Sequence, residues 1–274
     1  MKKVLLSLLF IIVVVTLYGF FIAPKKLQVV ENSIKVSNLT ESFNDFKIVQ
    51  FSDLLLGSTK NIEDLDEIVT SINELQPDII VFTGDLISTN YVPNEKDIKT
   101  IKEKLNNLDC TLYKYAIIGD NDQKNMDLYE DILKSSDFKI LDNSSTYLFY
   151  KNATPIKLTG ITDISKIDDA LYIEEEIETT YNIVFTHYPD YIDTISNYNV
   201  DLVLAGHSLK GQVRIPFIGG IVRKNNAQKY IDDYYQVNNT KMYISSGLGC
   251  EYINMRFLNK PEINLYRLIK IVTN

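Results

Sequence analysis

What the chain lacks narrows its function first. It has no tryptophan, and only two cysteines and two histidines in 274 residues. Cys110 and Cys250 lie far apart and in no ligand spacing, so no disulfide framework or cysteine-built zinc module is encoded. Two readings of that pair stay open: separate thiols, or a bridge formed outside the cell. Lysine and arginine never run longer than two, and the formal charge is −8 with a pI near 4.9. Nucleic-acid domains usually show a basic face, so nucleic acid is not an expected partner. There is also no internal repeat, low-complexity tract or clear linker. Apart from its first residues, the chain reads as one domain with a large core.

Those first residues are the strongest compositional signal. Val4 to Ala23 carries no charge, and at about 1.5 Å per residue it reaches about 30 Å, the thickness of a bilayer core. A cleaved signal peptide has a shorter apolar region, about 7–15 residues, and then small side chains. Here Phe21 stands where a small residue would be wanted. The reading is an uncleaved single-pass anchor over residues 1–25, with a cleaved signal as the alternative, followed by a domain over 26–274. Lysines flank the run on both sides, so the positive-inside rule does not set its direction. Long following domains translocate largely regardless of nearby charge, which favours a domain outside the cell membrane.

Beyond the anchor, short apolar runs alternate with helical patterns. Leu27–Val36 reads as an early strand or hairpin, and strands are expected at Phe46–Phe51, Asp78–Phe82, Leu112–Ile118, Tyr181–His187 and Val200–His207. Helices are expected over Ile62–Leu75 and Asp97–Leu108. Phe138–Ile161 reads as a hairpin sheet with turns at Asp142-Asn-Ser-Ser and Lys151-Asn-Ala, and the tail (Met242–Ser246, Glu262–Val272) as further strand. Strand–helix order of this kind predicts an α/β fold of two mixed sheets flanked by helices, a four-layer α/β/β/α sandwich.

Five of these strand ends present Asp53, Asp85, Asp120, His187 and His207. An aspartate after a strand is commonly a turn or cap residue, and a lone strand-end histidine is usually structural. Here, however, both histidines of the chain share the setting with three carboxylates. Carboxylate and imidazole on neighbouring strand ends suit a divalent transition metal such as manganese, iron or zinc.

The blocks FSDLLLG, FTGDLIS, IIGDND, FTHYPD and AGHSLKGQ, in that order, resemble the D-x-H, G-D, G-N-H-D, lone-His and G-H-x-H blocks of the calcineurin-like metallophosphoesterases. The tail SSGLGCEYINMRFLNKPEINLYRL, with Arg256 and Pro261-Glu262, is similar to the closing segment of their membrane-anchored bacterial branch. The resemblance implies two metal ions about 3.5–4 Å apart and in-line attack on phosphorus. It places Asp53, Asp85, Asp120, His187 and His207 at ligand positions. Leu55 and Leu209 stand where two further histidine ligands belong, and Asn121 replaces the histidine thought to serve the leaving group.

The losses therefore fall on one metal. Asp85, Asp120, His187 and His207 make a complete second-metal set, while Asp53, Leu55 and Leu209 mark an emptied first site. Lys210, beside that spot, is expected to offset part of the missing charge near Asp53, with a solvated loop lysine as the alternative. Three functions follow: a phosphoesterase with a single-metal site acting on a small phosphorylated or lipid-like ligand, a pseudoenzyme that binds such a ligand or a partner, or a bare interaction fold. The segment Asn225–Asn239 is expected to shape the pocket rim.

Overall fold

The computed structural model describes the whole chain except residues 152–153, 174–176 and 272–274. The expected turn at Lys151-Asn-Ala and the end of the tail strand at Val272 therefore fall partly outside the described residues. Helix α1 (Lys2–Phe21) is long and apolar enough to cross a membrane, and nearly all of its side chains are exposed. A short 3-10 turn, Ala23–Lys25, leads from it into the body.

The first sheet takes β1 (Gln28–Val36), β2 (Phe46–Phe51), β3 (Ile79–Phe82), β4 (Tyr113–Ala116) and β5 (Phe138–Ile140). The second takes β6 (Ser144–Leu148), β7 (Ile156–Ile161), β8 (Tyr181–Thr186) and β9 (Leu202–Ala205). A small hairpin of β10 (Arg214–Ile215) and β11 (Gly219–Gly220) follows, then β12 (Tyr234–Val237), β13 (Thr240–Ile244) and β14 (Glu262–Lys270). Strand order is β1-β14-β2-β3-β4-β5 in the first sheet and β12-β13-β9-β8-β7-β6 in the second. Both are mixed: β2, β3, β4 and β5 run parallel while β14 opposes β2, and β7, β8 and β9 run parallel while β6 opposes β7.

Period-two alternation sets the layers. Successive side chains of a strand point to opposite faces. Ile48, Ile79, Val81, Ile183, Phe185, Leu202 and Leu204 therefore meet between the sheets. Val49, Ile80 and Phe82 face α2 (Asp64–Glu74), α3 (Glu95–Asn106) and α4 (Met126–Ser135). Val184, Val203 and Ala205 face α5 (Ile167–Leu171) and α6 (Ile192–Ile195). The four layers are those expected.

Two details differ from the expectation. The second helix starts earlier, because Asn94 caps it by accepting from the Lys96 and Asp97 amides. Phe138–Ile140 is not part of a hairpin but lies parallel to β4, reached through α4, which buries Tyr129, Ile132 and Leu133.

Candidate metal centre

Five loops meet at the carboxyl ends of β2, β3, β4, β8 and β9. Three of the side chains they carry, Asp53, Asp85 and His207, sit on residues with φ of 48°, 63° and 62°. This left-handed conformation costs non-glycine residues about 1–3 kcal/mol each and clusters at functional sites. Backbone bonds hold the turns together: the Asp53 amide donates to Gly84 O at 2.9 Å and Leu55 to Asp85 O at 3.0 Å. Asp122, one of the residues not singled out in sequence, accepts from the amides of Asp85, Leu86 and Gly119 at 2.7–2.9 Å. Burial and the neighbouring Asp85 carboxylate push Asp122 up to about 7, against those three donors.

Asp85, Asp120, His187 and His207 converge, their four donor atoms all within 4.8 Å of one another. His187 Nε2 lies 3.2 Å from Asp120 Oδ1 and 3.4 Å from Asp85 Oδ2. His207 Nδ1 is 3.2 Å from the same Asp120 oxygen and 3.1 Å from His187 Nε2.

The ring protons are fixed from outside. His187 Nδ1 faces Thr83 O at 2.7 Å, and His207 Nε2 faces Asn225 O at 2.8 Å. A carbonyl only accepts, so those nitrogens carry the hydrogens, and each neutral ring turns a lone pair inward. Two lone pairs and two carboxylates thus point at one place, and either protons or a cation must supply positive charge there. Burial opposes ionisation of Asp85 and Asp120, but the adjacent imidazoles outweigh it and hold both below the ordinary carboxylate range. Burial likewise opposes charge on His187, yet Asp85 and Asp120 hold it well above its usual value.

A divalent ion fits this set. Ligand distances of about 2.0–2.2 Å imply edges of about 3.0–3.5 Å between neighbouring donors, in octahedral or tetrahedral coordination. The distances of 3.1–3.4 Å among His187, His207, Asp120 and Asp85 fall in that range. Asp120 Oδ1 is buried and faces the two imidazole nitrogens of His187 and His207. Asn121 donates to both oxygens of Asp85, from its amide at 2.9 Å and its side chain at 2.7 Å, so it is turned to hold a carboxylate.

On the other side, Asp53 is fully buried. Its Oδ2 accepts from Ser52 Oγ at 2.5 Å and from the His207 amide at 3.0 Å, and its Oδ1 has no partner. Leu55 and Leu209 are buried with φ of 47° and 49°. Both pack against the turn at 247–249. A β-carbon built on Gly247 would fall 2.5 Å from Leu209 Cδ2 and 2.7 Å from Asp53 Cβ, and one on Gly249 2.6 Å from Leu55 Cβ.

Lys210 does not serve Asp53. Its ammonium lies 2.6 Å from both Glu262 Oε1 and Asp233 Oδ1. The reason is local: Leu209, Lys210, Gly211 and Gln212 are all left-handed, and the chain turns the lysine towards β14. A buried cation whose charge acts on Asp53 is Lys224. It pairs with Glu251 and donates to His207 O at 2.7 Å. Burial opposes its charge, but Glu251, Asp53 and Asp85 raise its pKa above normal. Nothing local in Arg223-Lys224-Asn225 marks this residue, whose partners are distant in sequence.

A cavity of about 200 Å³ opens beside Asn121, walled by Leu86, Tyr91, Val92 and Leu128 with Lys124 alongside. Lys124 Nζ donates to Asn121 Oδ1 at 3.2 Å.

Comparison with known proteins bears on this arrangement. Residues 46–211 match the calcineurin-like phosphoesterases. The chain is 30% identical over 257 residues to the uncharacterized metallophosphoesterase YkuE of Bacillus subtilis, spanning 92% of this chain and 88% of that one. It is 28% identical to the transmembrane protein with metallophosphoesterase domain of Danio rerio, over 93% of this chain and 60% of the relative. Similarity to the UDP-2,3-diacylglucosamine pyrophosphatase LpxG of Chlamydia muridarum is 23%, over 81% and 83% of the two chains. With two mixed sheets and a convergent Asp/His cluster at their strand ends, this chain belongs to the calcineurin-like phosphoesterase family.

Proposed function

We propose that this protein is a phosphoesterase held to the cell membrane by residues 1–25, with its domain (26–274) outside the cytoplasm. It works with one divalent ion and one fixed ammonium where relatives of the family pattern carry two ions. The observation that carries this reading is the inward-facing set Asp85, Asp120, His187 and His207, with both ring protons committed to carbonyls. The bound ion would polarise a phosphoryl oxygen and acidify water.

The remaining work falls to the chain. Thr83 O and Asn225 O orient the imidazoles, and Asn121 fixes Asp85. Lys224 has three hydrogens, of which Glu251 and His207 O take two. Its field favours an anionic phosphate near Asp53, and the apolar cavity beside Asn121 offers room for the organic part of the ester. The name of LpxG, a pyrophosphatase of a diacylated sugar nucleotide, supports a lipid-like phosphoester or pyrophosphate as substrate class.

A second reading is a ligand-binding pseudoenzyme. The specific observation in its favour is Asn121, whose side chain is spent on Asp85 and has no acidic proton to give a leaving group.

The deciding experiment is manganese-dependent hydrolysis of an aryl phosphodiester by the detergent-solubilised full chain, with His207→Ala as background. Turnover above the variant is expected. Equal rates with one metal still bound would favour the pseudoenzyme, and equal rates with no metal bound would overturn both.

A further inference from the structure

The hairpin of β10 and β11 and the loop before β14 are unusual for a surface. Ile215, Phe217, Ile218 and Ile221 are all exposed on the hairpin, Phe217 fully and Ile218 at 71%. On the loop, Tyr252 is exposed at 78% and Leu258 is exposed as well. Single apolar residues on a surface need no explanation, but a run of this kind on adjoining segments marks an interaction site.

The two segments form one unit. The Arg214 amide donates to Phe257 O at 2.9 Å, and the Gln212 side chain donates to Ile253 O at 2.6 Å and Met255 O at 3.0 Å. The same unit holds the end of α1. Arg256 N donates to Gly19 O at 2.9 Å, and a β-carbon on Gly19 would fall 2.7 Å from Met255 Cε. Tyr18 and Ala23 share a cavity wall with Arg214 and Leu258. The point where α1 leaves its apolar stretch is therefore the point where the exposed rim begins. Exposed cations accompany it: Lys25 and Lys26 follow α1, and Arg223 and Lys260 flank the two segments.

We infer that this rim docks into the bilayer that α1 spans, with Phe217 and Ile218 entering the acyl–headgroup boundary and the four cations meeting lipid phosphates. Continuity with α1 selects a lipid surface as the occupant. Apolar side chains beside basic ones, next to a span end marked by an aromatic, are what a membrane interface accepts. The far end of the rim reaches the metal centre, since Tyr252 follows Glu251, the partner of Lys224. Lys224 in turn donates to the carbonyl of His207, one of the four cluster residues, at 2.7 Å. Resting on the phosphoesterase reading for its chemistry, this orientation makes the substrate a phosphoester carried at the lipid surface.

The absence of tryptophan makes the test clean. Phe217→Trp and, separately, Ile218→Trp give the full chain a single tryptophan at the rim, excited selectively at its red edge beyond the 18 tyrosines. Phe149→Trp, exposed at the edge of the second sheet opposite β12, is the solvent control. Each is reconstituted in phosphatidylcholine–phosphatidylglycerol vesicles with or without lipids brominated along the acyl chain. The docked rim predicts blue-shifted emission and about twofold quenching by bromines near the headgroup, a depth of about 5–10 Å, with Phe149→Trp unaffected. Water-like, unquenched emission from both rim variants would overturn the inference. So would a blue shift indifferent to bromination, which would identify a protein surface such as a second copy of this chain. The readout needs no turnover, so an inactive protein with a quenched rim would refute the phosphoesterase reading and leave the docking intact.

Discussion

Lys224 and Asp53 are joined through one residue. The ammonium donates to the His207 carbonyl at 2.7 Å, and the His207 amide donates to Asp53 at 3.0 Å. A buried cation and a buried carboxyl group thus grip the two ends of a residue of the candidate metal site. Removing one partner of a buried ion pair costs about 3–5 kcal/mol, because the other charge is left uncompensated. Lys224→Met is therefore expected to lower the unfolding midpoint strongly in detergent melts, and adding Glu251→Met to recover only the part due to that ion pair, since Asp53 stays buried without its cation.

The metal stoichiometry follows from Leu55 and Leu209. The native full chain should hold one manganese or zinc ion by elemental analysis. Leu55→His with Leu209→His should raise that towards two, and adding Lys224→Met should tighten the second ion by removing a like charge. A double-histidine protein that stays at one ion, with or without Lys224, would refute the emptied-site account.

Metal binding should release protons. With no metal bound, Asp85 and Asp120 hold the His187 imidazolium well above its usual range, so an incoming ion must displace that proton. Apparent affinity should then rise with pH, through and beyond the ordinary histidine range. Titration calorimetry in buffers of differing ionisation enthalpy should report about one proton released per ion near neutrality. Affinity that is flat with pH would mean that His187 is not a ligand.

Position 121 separates a slow enzyme from an inactive one. Asn121→His restores a group able to carry a proton beside the cavity and should raise aryl phosphodiester turnover by about 10²-fold. Asn121→Ala, which removes the side-chain donor to Asp85 and the acceptor of Lys124 but keeps the backbone bond, should weaken metal binding by about 10–100-fold with little change in fold. Equal turnover in all three proteins would remove position 121 from the chemistry.

Much of the fold was legible because β2, β3, β4, β8 and β9 are short apolar runs that each stop at a turn bearing Asp or His. A strand buried on both faces leaves that signature in the sequence itself. The four-residue cluster was visible for the same reason. Helix α4 was missed although Tyr129, Ile132 and Leu133 carry helical spacing, because the stretch follows the Gly119–Asp122 turn without a strong cap. Lys210 drew attention by adjacency to His207, but four consecutive left-handed residues swing it to Glu262. Lys224 was invisible for the opposite reason. Its burial depends on Glu251 and His207, neither of them near it in the chain, and no local pattern encodes a contact of that range.

The bond from Arg256 to Gly19 O has a consequence for how substrate is met. Only residues 22–27 separate α1 from β1, and the helix end is pinned to the loop that leads to Lys224's partner Glu251. A domain on a slack tether samples a volume, whereas one bolted to its own span keeps a single height and tilt. With α1 in a bilayer, the metal centre would patrol a plane. For the lipid-borne phosphoester proposed above, encounter would then be governed by lateral diffusion and by how many target molecules lie in that leaflet, with bulk concentration nearly irrelevant.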